Sequence, residues 1–183
     1  PNHFSFLPGY RTLYGPYILG TYYWSVTTNV SAALHFDYRA KRGPGVGPDL
    51  AWDVGRWGVG DLRTYYTPDD DPDVDPNGKP IEPDRYRAAF SHSAFIHTNF
   101  TAKVAVEKQS DAYVTRDFYE SEYRNDPQPN TFLELDRQWA NFSLNFLVQA
   151  QVNDFFQTVE RLPDVKLTGL RQQLGISPFY YES

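Results

Sequence analysis

The four histidines, His3, His35, His92 and His97, are the obvious candidates for acid–base or metal chemistry. None of them falls into a His-Glu-x-x-His spacing, which would set two imidazoles on one helix face. Cysteine is absent, so zinc-finger, disulfide and thiolate-nucleophile chemistry all fall away. Gly43-Pro44-Gly45-Val46-Gly47 is glycine-rich, but no Lys-Ser or Lys-Thr follows to hold a phosphate. It reads as a turn cluster. Glu134 and Asp136 stand two apart, the spacing of one strand face. They could be a glycosidase pair, although two polar residues on a wetted strand are the simpler account. Counted from Asp71, carboxylates fall at positions one, three and five of a loop, with Glu82 at twelve, as in a calcium loop. The sixth position is Pro76 where glycine is required, and no helices flank it, so the stretch Asp69 to Glu82 reads as a solvated acidic loop. These residues point away from an enzyme, and neither a metal nor a cofactor is expected.

More informative is where the remaining charges fall. Between Val30 and Lys41 the even positions are Val30, Ala32, Leu34, Phe36, Tyr38 and Ala40, whereas the odd ones are Ser31, Ala33, His35, Asp37, Arg39 and Lys41. Successive strand side chains point to opposite faces, so this segment has one apolar and one largely polar surface. Phe142 to Val152 and Phe100 to Glu107 repeat the pattern, and weaker versions cover Asp49 to Gly55, Asp61 to Tyr66, Arg85 to Ile96, Leu133 to Trp139 and Val165 to Arg171. About ten strands of roughly 8 to 12 residues follow, the length a tilted membrane strand needs. Short links at Thr27 to Asn29, Arg56 to Val59, His97 to Asn99 and Ala140 to Asn141 alternate with longer ones at Pro68 to Asp84, Ser110 to Asn130 and Asn153 to Pro163. The links at Leu13 to Pro16 and Arg42 to Gly47 are short for the long-loop side. This asymmetry is that of an outer-membrane barrel. Aromatics at Tyr22, Tyr23, Trp24, Trp57, Tyr65, Tyr66 and Trp139 match its interfacial girdles. A soluble β-sandwich would share the turn spacing, with the apolar faces packed against each other.

Composition agrees with two-faced strands. Hydrophobic residues make up 40% and aromatics 17% of 183 residues, yet the mean hydropathy is −0.59. No run approaches the roughly 18 apolar residues of a membrane-spanning helix. The formal net charge of −6 argues against a nucleic-acid partner. The chain opens at Pro1, has no methionine and stops in Phe179, Tyr180, Tyr181, so it reads as a piece of a longer protein.

Five segments then carry a resemblance: Phe6-Leu7-Pro8; Tyr22-Tyr23-Trp24-Ser25-Val26-Thr27-Thr28-Asn29; Tyr38-Arg39-Ala40-Lys41-Arg42-Gly43; Ser110-Asp111-Ala112-Tyr113-Val114-Thr115-Arg116-Asp117-Phe118; and Glu160-Arg161-Leu162-Pro163. In this order they resemble the start of the barrel in the lipopolysaccharide-assembly family LptD, the organic solvent tolerance proteins. The resemblance implies an all-β, antiparallel up-and-down meander of about ten strands, residues 1–183 being one incomplete segment of an integral outer-membrane barrel whose remainder and upstream jellyroll are absent. It implies lipopolysaccharide as cargo, membrane lipid around the wall, a plug lipoprotein, LptE, inside, and a periplasmic bridge protein, LptA. Lipopolysaccharide would leave by a lateral gate beside the first strand, here Phe4, Phe6 and Pro8, with Gly20 and Thr21 on the second. Proline has no N–H for a ladder, so Pro8 should weaken that seam, unless it merely starts a strand or sits in a loop. The family carries a second proline directly before Tyr-Tyr-Trp; here Thr21, preceded by Gly20, stands there, which leaves a two-proline gate in doubt. The lumen-facing set His35, Asp37, Arg39, Lys41, Asp53, Arg63, Arg85 and Arg87 would contact either the sugar and phosphate of the cargo or the plug, or simply line a solvated interior. A porin or receptor barrel, or a soluble carbohydrate-binding β-protein, are the alternatives.

Overall fold

The computed structural model describes residues 2–125, 130–156, 160–169, 172–173 and 180–181. Ten strands follow one another: β1 (His3–Arg11), β2 (Gly15–Thr27), β3 (Val30–Arg39), β4 (Gly43–Asp53), β5 (Val59–Pro68), β6 (Asp84–His97), β7 (Phe100–Gln109), β8 (Phe132–Gln138), β9 (Phe142–Gln149) and β10 (Arg161–Gly169). Each pairs antiparallel with its neighbours in the chain, giving one up-and-down sheet that does not close. β1 and β10 form its edges. A two-residue pair, β11 (Gln172–Gln173) and β12 (Tyr180–Tyr181), stands apart from it. The expected strand end at Arg171, together with Pro1 and Phe179, lies outside the described residues.

Period-two patterning sets the register. Opposite β3, His35 stands across from Thr21 and Gly47, and Phe36 across from Gly20 and Val46. One face therefore collects Thr21, His35, Asp37, Arg39, Asp49, Asp61, Arg63, Arg85, Arg87, Glu107, Glu134, Asp136 and Asn145. The opposite face collects Phe6, Ile18, Phe36, Leu50, Leu62, Phe90, Val104, Leu135, Phe146 and Leu167. Many of its side chains are exposed, Phe4, Phe6 and Leu167 by more than half. Among the described residues the hydrophobic core, Tyr14, Tyr65, Val114 and Phe118, lies on the polar side, where a short helix carries Val114 and Phe118. Thus the greasy surface is uncovered and the charged surface carries the buried cluster, the reverse of a soluble sandwich.

Links alternate in kind. At one end 28–29, 54–58, 98–99 and 139–141 are tight; at the other run 69–83, 110–131 and 150–160, together with three-residue turns at 12–14 and 40–42. Three expectations need correction. The segment Arg42 to Gly47 is not a link, because β4 starts at Gly43 and pairs with β3 from there. Its glycines serve close approach, since a Cβ on Gly45 would strike the Tyr65 hydroxyl. Pro48 cannot donate, and beside it the β4–β5 ladder skips from Val46↔Tyr66 to Asp49↔Arg63. There the Asp49 carboxylate accepts the Thr64 N–H at 3.1 Å. Second, β9 stops at Gln149 rather than Val152, as the chain leaves the ladder and the buried Asn153 amide bonds β7, accepting from Gln109 N and donating to Glu107 O. Third, the long 110–131 link contains two short helices, α1 (Val114–Phe118) and α2 (Glu120–Asn125). Of the expected girdle, Tyr23 and Tyr65 face the polar side.

Candidate functional site

The chemistry-bearing side chains converge on the polar face near its long-loop end. Arg85, at the start of β6, has no exposed side-chain surface and reaches three carboxylates: Asp69 at 3.0 Å, Asp111 at 2.9 Å and Asp117 at 2.8 Å. Asp69 is shared with Arg42 at 2.9 Å, which also holds Asp73 at 3.0 Å. Three segments are thus tied together: the turn after β3, the acidic 69–83 loop and the α1 link. A buried cation is tolerable only with such partners, and removing one member of a buried ion pair costs about 3–5 kcal/mol.

Beside this knot, Arg39 is sandwiched. Its guanidinium lies 5.0 Å from both the Tyr14 and Phe118 ring centres, and it bonds the Tyr65 hydroxyl and Asp37. The Tyr14 hydroxyl donates to the Asp117 carbonyl, fastening the first turn to α1. Helix α1 has only five residues; what holds it is the burial of Val114 and Phe118, plus a Thr115 hydroxyl bond to Gln109 at 3.0 Å. α2 is tied by Arg87 to Glu122 at 2.7 Å, with Arg63 on the same carboxylate at 3.3 Å. Arg87 also holds Glu107 and lies over the Tyr119 ring. Burial pushes the phenols of Tyr14 and Tyr119 above the ordinary tyrosine range, against the partial opposing pull of nearby arginines. The exposed Glu120 carboxyl is held low by its bond to Arg124.

Each expected lumen residue now has a place. His35, Asp37, Arg39, Arg63, Arg85 and Arg87 share the polar face. His35 bridges Thr21 on β2 at 3.1 Å and Asp49 on β4 at 2.8 Å, and so ties three strands. Lys41 does not join them: β3 ends at Arg39, and Lys41 lies exposed in the turn, donating to the Thr12 carbonyl. Asp53 sits at the tight-turn end, where it caps the turn by accepting Gly55 N–H. Arg39, Arg85 and Arg87 are buried among carboxylates and rings, which leaves little of their donor capacity for a phosphate. Of the acidic stretch, Asp69 is buried rather than solvated, because its charge offsets Arg42 and Arg85. Among the described residues no three metal-binding side chains group as a metal site. Glu134 and Asp136 share one Asn145 amide, which accounts for them as a structural pair.

No known family model matches the chain, and no curated protein does. The site therefore has to be read from its own geometry.

At the sheet's first edge, Phe4, Phe6, Pro8 and Gly20 lie on the apolar face and Thr21 on the polar one. Pro8 is in mid-strand, neither starting one nor lying in a loop, and proline within a sheet belongs on an edge strand such as β1. Gly20 is covered: the Phe36 ring lies where its Cβ would be, with Phe4 and Phe6 at 6.4 and 5.9 Å from that ring. Sequence reasoning missed Arg42, Asp69, Asp111 and Asp117. The apolar pair Val114 and Phe118, four apart in the link, was the available signal for α1.

Proposed function

We propose that this chain is part of the wall of an outer-membrane β-barrel of the LptD type, which passes lipopolysaccharide to the outer leaflet beside strand β1. The reading is supported above all by the exposed apolar face. Among the described residues its only charged side chains are Asp84 and Lys108 near the long loops and Arg137 near the tight turns. From Phe100 to Lys108 β7 advances eight residue steps, about 26 Å of strand, or roughly 20 Å when tilted as barrel strands are. Aromatic rims extend that band toward the roughly 25 Å of outer-membrane barrels. Tyr10, Tyr38, Tyr66 and Tyr86 mark one rim, and all four tryptophans lie toward the other. In water each large side chain on this face forgoes about 1.5–3 kcal/mol of burial, which lipid would supply.

In this reading the edge strand β1, with Pro8 at its centre, is one side of the lateral gate; LptE would meet the polar face, and LptA would deliver cargo upstream. A photo-crosslinker placed at Phe6 or Pro8 in the intact protein should capture lipopolysaccharide. Adducts on the polar face with none at these positions would remove the gate. A second reading, a solute-conducting barrel, is favoured by one feature, the folding of α1 and α2 onto the polar face, where a pore would be narrowed. It predicts solute flux and no lipopolysaccharide adduct at all.

A further inference from the structure

The tight-turn rim carries two exposed cations whose arrangement differs from the rest of the molecule. Arg56 lies 4.8 Å over the Trp57 ring and Arg137 4.9 Å over the Trp139 ring. Among the described side chains they are the arginines with no carboxylate partner, whereas Arg11, Arg63, Arg116 and Arg124, although also exposed, are each paired. The nearest acid in sequence to Arg56, Asp53, is spent on the Gly55 N–H. Asp136, beside Arg137, faces the other side of the sheet and is bonded to Asn145. Arg137 is moreover on the apolar face, level with Phe100. Trp57 and Trp139 are 63% and 42% exposed. A second pairing steadies the rim: the Trp52 indole donates to His92 Nδ1 at 3.1 Å, and His92 Nε2 donates to the Trp57 carbonyl at 3.0 Å.

A guanidinium stacked on an indole keeps its edge N–H groups free, and those donors fit phosphate oxygens. Tryptophan settles at the level of lipid headgroups. We propose that Arg56–Trp57 and Arg137–Trp139 are two headgroup anchors that bind the phosphates of anionic phospholipids in the leaflet at the tight-turn rim. The inference rests on the membrane-wall reading and adds to it a lipid class and two sites. It also runs against the bulk charge, because a chain of net −6 should avoid an anionic surface unless cations are concentrated where it meets one.

The test uses the whole chain, diluted from urea into vesicles of phosphatidylcholine alone or with one quarter phosphatidylglycerol, at low salt. Quenching of tryptophan emission by lipids brominated in mid-chain reports insertion of the apolar face; titration with lipid reports partitioning. Phosphatidylglycerol should raise partitioning by roughly five-fold per arginine. The double variant Arg56→Gln, Arg137→Gln should still insert and be quenched, but lose that preference. A control that removes equal charge at the other end, Lys79→Gln with Arg124→Gln, should keep it. Quenching without any preference for phosphatidylglycerol, a preference that survives in the double variant, or an equal loss in the control would each overturn the anchors and leave the membrane wall standing. Absence of quenching in both vesicles would take down the membrane reading, and the anchors with it.

Discussion

Arg85 concentrates more of the local energetics than any neighbour, because one unexposed guanidinium satisfies Asp69, Asp111 and Asp117 at once. Replacing it by methionine keeps much of the volume but takes the shared cation from three carboxylates, of which Asp69 keeps Arg42 and Asp117 keeps Arg116, at a cost of about 3–5 kcal/mol. The loss should be read at the loops: limited proteolysis between 110 and 125 should quicken strongly in the Arg85→Met protein, and an unchanged cleavage rate there would show that Arg85 does not tie them. Tyr14 and Tyr119 allow a pH prediction. Burial raises both phenols above their ordinary value of 10.0, so the folded state favours the neutral form. Their contribution is whole below that value and is lost as pH climbs through the folded values. Alkaline titration followed by phenolate absorbance should lose one late-ionising tyrosine in Tyr14→Phe and another in Tyr119→Phe; a late phase unchanged in either variant would contradict it. Few of these partners were legible beforehand. Arg39, Arg85 and Arg87 stood in the alternating pattern, but alternation says which face a side chain takes and nothing about which distant loop folds back to meet it. Asp111 and Asp117 sit in a link with no strand period, and Lys41 was misplaced because β3 ends two residues before it, where the turn begins.

Among the elements, the β1–β2–β3 corner relies on side-chain cover as much as on its ladder. Phe36 shields the backbone at Gly20 and meets Phe4 and Phe6 edge-on. Two such aromatic pairs contribute about 0.5–1.5 kcal/mol each beyond burial. Phe36→Ala should therefore loosen β1 selectively, read as faster amide exchange across His3–Arg11 in lipid or detergent while β6 and β7 stay protected. Equal exchange in variant and parent would mean that the ladder alone holds the edge. Strand positions were legible almost throughout, since each of the eight stretches of alternation became a strand, β3 to β10. The errors were confined to places where glycine, proline or asparagine replaces the usual ladder chemistry. Gly43 to Gly47 reads as a turn by composition, yet it becomes strand because Tyr65 and Thr64 need the space. Helix α1 is too short to show a repeat, and it exists because the sheet gives Phe118 somewhere to pack.

For the molecule as a whole, an open sheet with two free edges and an uncovered apolar face should not persist as a soluble monomer. Sedimentation in detergent-free buffer should find the bare 183-residue chain associated, and denaturant should give no sharp monomeric unfolding; a cooperative monomer would contradict the membrane-wall reading directly. The two-sidedness behind this prediction was plain in the alternation. That the dry cluster would form on the charged side was not, because it depends on a loop folding over rather than on any strand pattern.

The strictly neighbouring pairing of β1 through β10 has a consequence for how the sheet is made. Every hairpin finds its partner among residues just synthesised, and even the farthest tie of Arg85, to Asp117, spans only 32 positions. Construction can thus proceed stepwise from the first strand. It would reach β6 with the Arg85 guanidinium on Asp69 alone, until the stretch after β7 brings Asp111 and Asp117, a built-in checkpoint on the order of assembly.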